Sequence, residues 1–155
     1  MWESLQRYKA LDAESRRMFW RAVFLLPLAK ASLQWRGYGE TFTSLQRRLA
    51  ASVPLTPEPG GISEQIRRTC RIVGAAQRRW PVKFTCLEES LVLWYLLRSQ
   101  GIASRLRIGV RKTNEKLEAH AWVEYCGEAL SQPEQLHRHY AAFEKEISEP
   151  PAEPS

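Results

Sequence analysis

The stretch Thr85-Cys-Leu-Glu-Glu-Ser-Leu-Val-Leu-Trp-Tyr-Leu-Leu-Arg-Ser-Gln-Gly101 decides how this chain is read. Thr85 followed three residues later by Glu88 is a capping-box pattern. The hydroxyl accepts the N–H of the third helical residue, and that residue's carboxylate accepts the N–H of the cap. Thr85 is thus the expected N-cap and Cys86 the first helical residue. Leu87, Leu91, Trp94 and Tyr95 then share one apolar face, and Gly101 supplies the stop. A thiol in a first helical turn faces unpaired N–H groups and the positive end of the dipole, which favour thiolate over thiol. The N–H of Cys86 is also free to donate to a developing oxyanion. Taken alone, a cysteine at a helix start is more often a small packing residue than a nucleophile.

Beyond Gly101 the apolar period changes to two. Leu106, Ile108 and Val110 alternate with Arg105, Arg107 and Gly109, the pattern of a half-buried strand. A second strand runs from Leu117 to Tyr125. Leu117, Ala119, Ala121, Val123 and Tyr125 share one face, and Glu118, His120, Trp122 and Glu124 the other. Cys126-Gly127 reads as a turn, Ala129-Leu130 as the start of a return strand, and Pro133 to Ile147 as a helix. The proline-rich segment from Ser148 to Ser155 reads as a disordered tail.

Upstream, Asp12 opens a helix that continues at helical spacing through Phe19, Trp20, Val23, Phe24, Leu28 and Leu33 to Trp35. Pro27 predicts a kink or break within it, and Gly37 and Gly39 predict its end. A shorter helix is expected from Thr43 to Ser52, then a loop from Pro54 to Gly61. Ser63 opens a helix closed by Pro81. Ile66, Cys70, Val73 and Trp80 are its expected apolar face, with Arg67, Arg68, Arg71, Arg78 and Arg79 opposite. The expected organisation is one domain over 1–147, made of a helical part (1–53), the Pro/Gly loop (54–61) and a core (62–147), followed by the tail (148–155). No internal repeat is visible.

The composition, 44% apolar and 26% charged over 155 residues, is that of a chain that buries a core. Its 23 basic and 17 acidic residues give a net charge of +6, which favours acidic partners without naming one. The most apolar run, Ala22 to Ala29, falls far short of the roughly 20 residues a membrane-spanning helix needs. No transmembrane segment is therefore expected. A membrane-surface role is the lesser alternative, since Arg21 and Lys30 flank the run. Cys70, Cys86 and Cys126 are odd in number, widely spaced and preceded by no secretory signal. They read as free thiols of a reducing, cytoplasmic setting.

His120 is the second chemical element. It lies 34 residues after Cys86, mid-strand, on the face opposite the Ala/Val set. A nucleophilic thiol needs an imidazole to take its proton and later give it to the leaving amine. A hydrogen-bonded histidine without a catalytic task is the plainer alternative. His137 and His139, on a charged helix near the chain end, are weaker candidates.

Three runs in this order are more specific than either residue alone: Cys86 to Ile102, Leu106-Arg-Ile-Gly-Val-Arg111, and Ala119-His-Ala-Trp-Val-Glu124 with Gly127. Together they resemble the transglutaminase-like leader peptidase of lasso-peptide biosynthesis, the peptidase half of the microcin-type maturation protein. The resemblance implies an α+β, papain/transglutaminase-like core, with N-terminal helices, a central helix starting at the nucleophile and a small antiparallel sheet. It implies a cytoplasmic cysteine peptidase, peripheral to the membrane at most within a maturation complex, that removes the leader of a ribosomally made precursor. It further implies a separate leader-recognition protein, because this chain has no room for a fused one, and a separate macrolactam synthetase.

The family places an aspartate about five residues after the turn glycine, where it orients the histidine. This chain has Gln132 there. A glutamine carbonyl can accept the imidazole N–H but offers no full negative charge to an imidazolium. A three-residue loop, Cys126 to Glu128, would pair Trp122 with Gln132. That register puts Gln132 on the His120 face at a backbone diagonal of roughly 7–8 Å. A two-residue loop turns Gln132 to the other face and makes Glu118, Glu124 or Glu134 the better orienter. Both registers are open at the level of sequence.

Other chemistries are poorly supported. No CxxC or HExxH spacing marks a metal site, and Gly60-Gly61 lacks the lysine that a phosphate loop requires, so neither metal nor cofactor is expected. The rival from another class is a basic binding module for nucleic acid or an acidic peptide, built on Arg105, Arg107 and Arg111 and on the arginine-rich helix. Nucleic acid is the less expected partner. An inactive scaffold, motivated by Gln132, is the remaining alternative.

Overall fold

The computed structural model describes residues 12–50, 62–113, 116–130 and 141–142. The expected loop at 54–61, nearly all of the expected helix over 133–147, the tail, Gln132, Glu134, His137 and His139 lie outside the described residues.

Helix α1, Ala13–Ala50, is two helical pieces joined at Gly37, whose backbone (φ 75°, ψ 177°) is not helical. Such a positive φ suits a residue without Cβ. Gly37 thus ends the first piece as its sequence suggests. The second piece begins earlier than the expected Thr43. Thr41 braces the junction: its hydroxyl donates to the Gly37 carbonyl at 2.7 Å and so accepts from the Ser32 hydroxyl at 2.8 Å. The redirected piece lays Phe42 onto Trp94, with ring centroids 4.6 Å apart, and Tyr38 onto Phe42 at 5.6 Å.

Pro27 was the other expected interruption, yet the helix runs through it. Proline cannot donate the hydrogen bond that Val23, four residues earlier, would normally accept. The indole N–H of Trp80 donates to that carbonyl instead, at 3.0 Å. This bond also corrects the reading of Trp80. Helix α2 spans Ile62–Gln77, and Trp80 lies past its end, in the turn that leads to Thr85.

Helix α3, Cys86–Ser99, is the central element. Leu91, Val92, Leu93, Trp94, Leu96 and Leu97 are all buried, so it is apolar nearly all round and enclosed by its neighbours. Its C-terminus closes as the sequence indicates. Gly101 takes φ 78°, and the N–H of Ile102 reaches back to the Leu97 carbonyl at 3.1 Å.

Four strands follow, β1 (Arg105–Thr113), β2 (Lys116–Tyr125), β3 (Glu128–Leu130) and β4 (Ala141–Ala142), in the order β3-β2-β1-β4. All paired neighbours are antiparallel. β4 corrects one expectation: Ala141 and Ala142, placed by sequence within a helix, pair with Val110 and Gly109 of β1. An Ala-Ala pair gives no strand signal of its own, and only the exposed edge of β1 recruits it. The core joins α1, α2 and α3 to one face of the sheet through Leu26, Ile72, Leu91, Leu97, Leu106 and Val123.

Candidate active site

Cys86 is the first residue of α3, as the capping box requires. Thr85 is extended (φ −78°, ψ 160°), its hydroxyl accepts the Glu88 N–H at 3.3 Å, and its own N–H donates to Glu88 Oε2 at 2.8 Å. Glu88 is only 5% exposed, and a buried carboxylate needs a partner. Lys30, from the middle of α1, supplies one at 3.2 and 3.4 Å from the two oxygens, with its ammonium 5.9 Å from the centre of the Phe84 ring. Lys30 escaped the sequence reading, because a contact between residues 58 apart leaves no local signal.

Glu89, one turn along from Cys86, also passed unnoticed. Its carboxyl is pushed above the ordinary range, mainly by burial; the neighbouring Glu88 charge adds to this and a hydrogen bond from Gln77 opposes it.

The histidine-bearing strand lies against this helix. The Ser90 hydroxyl donates to the Ala121 carbonyl at 3.0 Å, in a buried position. Ser90 is one turn, about 6 Å, beyond Cys86 on the same side of α3. Ala121 is the residue after His120.

His120 is half-buried, and its cross-strand partner is Gly109, which brings no side chain beside the ring. Trp122, two residues on and buried, lies roughly parallel to the imidazole, with centroids 6.0 Å apart and planes at 19°. The indole is itself held, its N–H donating to Glu124 Oε1 at 2.9 Å, while Glu124 Oε2 sits 3.3 Å from Arg107 Nε on β1. Glu124 therefore acts on Trp122 and Arg107. Glu118 shares the His120 face two residues earlier and is exposed.

The hairpin resolves the open register. Tyr125 pairs with Glu128, so Cys126-Gly127 is a two-residue loop, and both its φ values are positive (51° and 82°), the signature of a type I′ turn. The three-residue register that would carry Gln132 to the His120 face is not the one formed at the hairpin. Gln132 and Glu134 themselves lie beyond the described part of this strand.

Cys70 is half-buried on α2, Cys126 is exposed at the hairpin tip, and neither they nor Cys86 forms a disulfide among the described residues. Among the described residues no cluster of three or more His, Cys, Asp or Glu is arranged to hold a metal, and no helix is long and apolar enough to cross a membrane. Part of the arginine stripe is neutralised internally. Arg71 contacts Glu64 at 2.7 Å, and Arg68 contacts Glu14 at 3.0 Å and Asp12 at 3.5 Å.

A cysteine opening a buried helix, beside an antiparallel sheet that carries a histidine, is an α+β layout suited to thiol chemistry on acyl groups. Residues 28–145 match the transglutaminase-like superfamily, and the chain belongs to it. That superfamily includes cysteine peptidases. No curated protein and no solved structure matches the chain.

Proposed function

We propose that the chain is a cysteine peptidase that removes the leader from a ribosomally made lasso-peptide precursor. The observation that carries this reading is the capped start of α3 with Cys86 as its first residue, tied by the Ser90–Ala121 bond to the strand of His120. Superfamily membership supports thiol chemistry, and the Cys86–Ile102, Leu106–Arg111 and Ala119–Glu124 runs support leader removal in particular.

In the proposed mechanism, the Cys86 thiolate attacks the carbonyl carbon at the leader–core junction, and the Cys86 N–H donates to the resulting oxyanion. His120, having taken the thiol proton, gives it to the core nitrogen as the C–N bond breaks. A water molecule, losing a proton to His120, then hydrolyses the thioester and frees the leader carboxylate. Trp122 shields one side of the imidazole, and Glu124 holds Trp122 there. The resemblance implies Gln132 as the third member, while the two-residue loop favours its alternatives Glu118, Glu124 and Glu134 as the group that orients His120. The proposed partners are the precursor, a separate leader-recognition protein and a macrolactam synthetase, acting in the cytoplasm.

The test is mass spectrometry of a precursor incubated with this protein and its recognition partner. Leader removal should vanish with Cys86→Ala and persist with Cys70→Ser and Cys126→Ser. Undiminished cleavage by Cys86→Ala would exclude the peptidase reading.

A further inference from the structure

We propose that the outer face of α1 is a docking groove for an acidic amphipathic helix of a partner protein. One side of α1 enters the core through Met18, Ala22, Leu26 and Ala29. A second apolar stripe runs along the other side. Trp20, Phe24 and Leu28 follow one another at spacings of four and are 42%, 66% and 57% exposed, and Trp35, two turns further, is 86% exposed. Together they cover about 22 Å of helix. A helix with apolar residues on both sides is ordinarily covered on both, and a continuous exposed stripe marks an interaction surface.

The stripe borders a groove of about 540 Å³, which Tyr95 of α3 closes from the far side and which Arg17 and Arg21 line. Among the described residues, no acidic side chain lines it. Neither arginine is ion-paired among the described residues, although Arg36, Arg68 and Arg71 all are. An apolar floor with unneutralised cations at one end complements a helix that carries large apolar residues at i, i+4 and i+8 and carboxylates beside them. A second copy of this chain fits less well, since its net charge is +6 and its own groove is basic. A bilayer surface is the other occupant that a basic, apolar face could take, and the test below separates it from a peptide helix.

The groove is remote from the chemistry. Tyr95 follows Cys86 by nine residues, or two and a half turns, and so points to the opposite side of α3. Arg17, Trp20, Arg21 and Phe24 also precede residue 28, where the superfamily match begins. Docking there does not require that Cys86 be a nucleophile.

The test uses a fluorescein-labelled 16-residue helical peptide, with Leu and Phe at i, i+4 and i+8 and Glu at the flanking positions, and a twin in which Lys replaces Glu. Fluorescence anisotropy should show the acidic peptide binding about tenfold more tightly than its twin at low salt. Phe24→Ser with Leu28→Ser should weaken binding about tenfold, and Arg17→Glu with Arg21→Glu should reverse the charge preference. Iodoacetamide labelling of Cys86 should stay unchanged in all of them, which shows the fold intact. Equal binding by the wild type and these variants would overturn the proposal. So would anionic-vesicle binding that the same substitutions abolish without any peptide binding, or a dimer that they dissociate.

Discussion

The start of α3 and the β2–β3 hairpin form the two halves of the candidate site, and different forces hold them. The helix start is locked first by its own neighbours, through the reciprocal Thr85–Glu88 bonds, and only then by Lys30 from across the chain. The hairpin has its geometry set by a two-residue turn and by cross-strand pairing, and His120 is oriented along its own strand through Trp122 and Glu124. The candidate nucleophile is thus placed by its own neighbours in sequence, and the candidate base by strand register.

The largest expected effect on the helix half comes from Lys30→Met. It leaves the Glu88 carboxylate buried without its counter-charge. Removing one partner of a fully buried pair costs about 3–5 kcal/mol, and because the Lys30 side chain is 30% exposed we expect about 2 kcal/mol. Urea denaturation measures it. Arg36→Met, which breaks the exposed Arg36–Glu40 pair, is the control and should cost under about 0.5 kcal/mol. Equal losses would mean that the start of α3 is no better anchored than an ordinary surface turn.

Trp80→Phe comes next. It keeps an aromatic ring, though a smaller one, and withdraws the donor from the carbonyl that Pro27 leaves open; the lost hydrogen bond costs about 1 kcal/mol. With Pro27→Ala in the same chain the backbone supplies its own donor, and most of that loss should disappear. A loss unchanged by Pro27→Ala would show that Trp80 acts through packing alone.

Tyr38→Phe should be the gentlest change. The Tyr38 hydroxyl is buried with no hydrogen-bond partner among the described residues, and burial pushes its pKa up to about 12 from the usual 10.0. A group whose folded pKa is raised supports the fold below its unfolded pKa and loses that support as pH climbs through the folded one. Wild-type stability should therefore fall between about pH 10 and 12 more steeply than that of Tyr38→Phe, while the two match at pH 7 or the variant is slightly the more stable. Parallel thermal-denaturation profiles across that range would refute it.

What the sequence disclosed follows the same division. The capping box placed Cys86 at the residue where α3 starts, Gly101 its end and Gly37 the bend of α1, because each signal lies within a few residues of its effect. The strand alternation put His120 on the face opposite Val123. The passage through Pro27 was not legible, since the donor that permits it is 57 residues away in a segment read as helix. Lys30 was hidden for the same reason. The loop length after β2 stayed open because Cys126 takes a positive φ usually left to Gly or Asn, which blurs the turn signal. The pairing of Ala141–Ala142 with β1 left no trace in a segment whose composition favours helix.

The most direct test of the account is the rate at which iodoacetamide labels each cysteine at pH 7, by peptide mass spectrometry, in the wild type and in His120→Ala. Accessibility alone favours Cys126, which is exposed, over the half-buried Cys86. A nucleophile activated by its helix and by His120 reverses that order: Cys86 should react about tenfold faster than Cys126, and His120→Ala should erase most of the advantage. Faster labelling of Cys126, with Cys86 indifferent to the loss of the imidazole, would contradict the assignment.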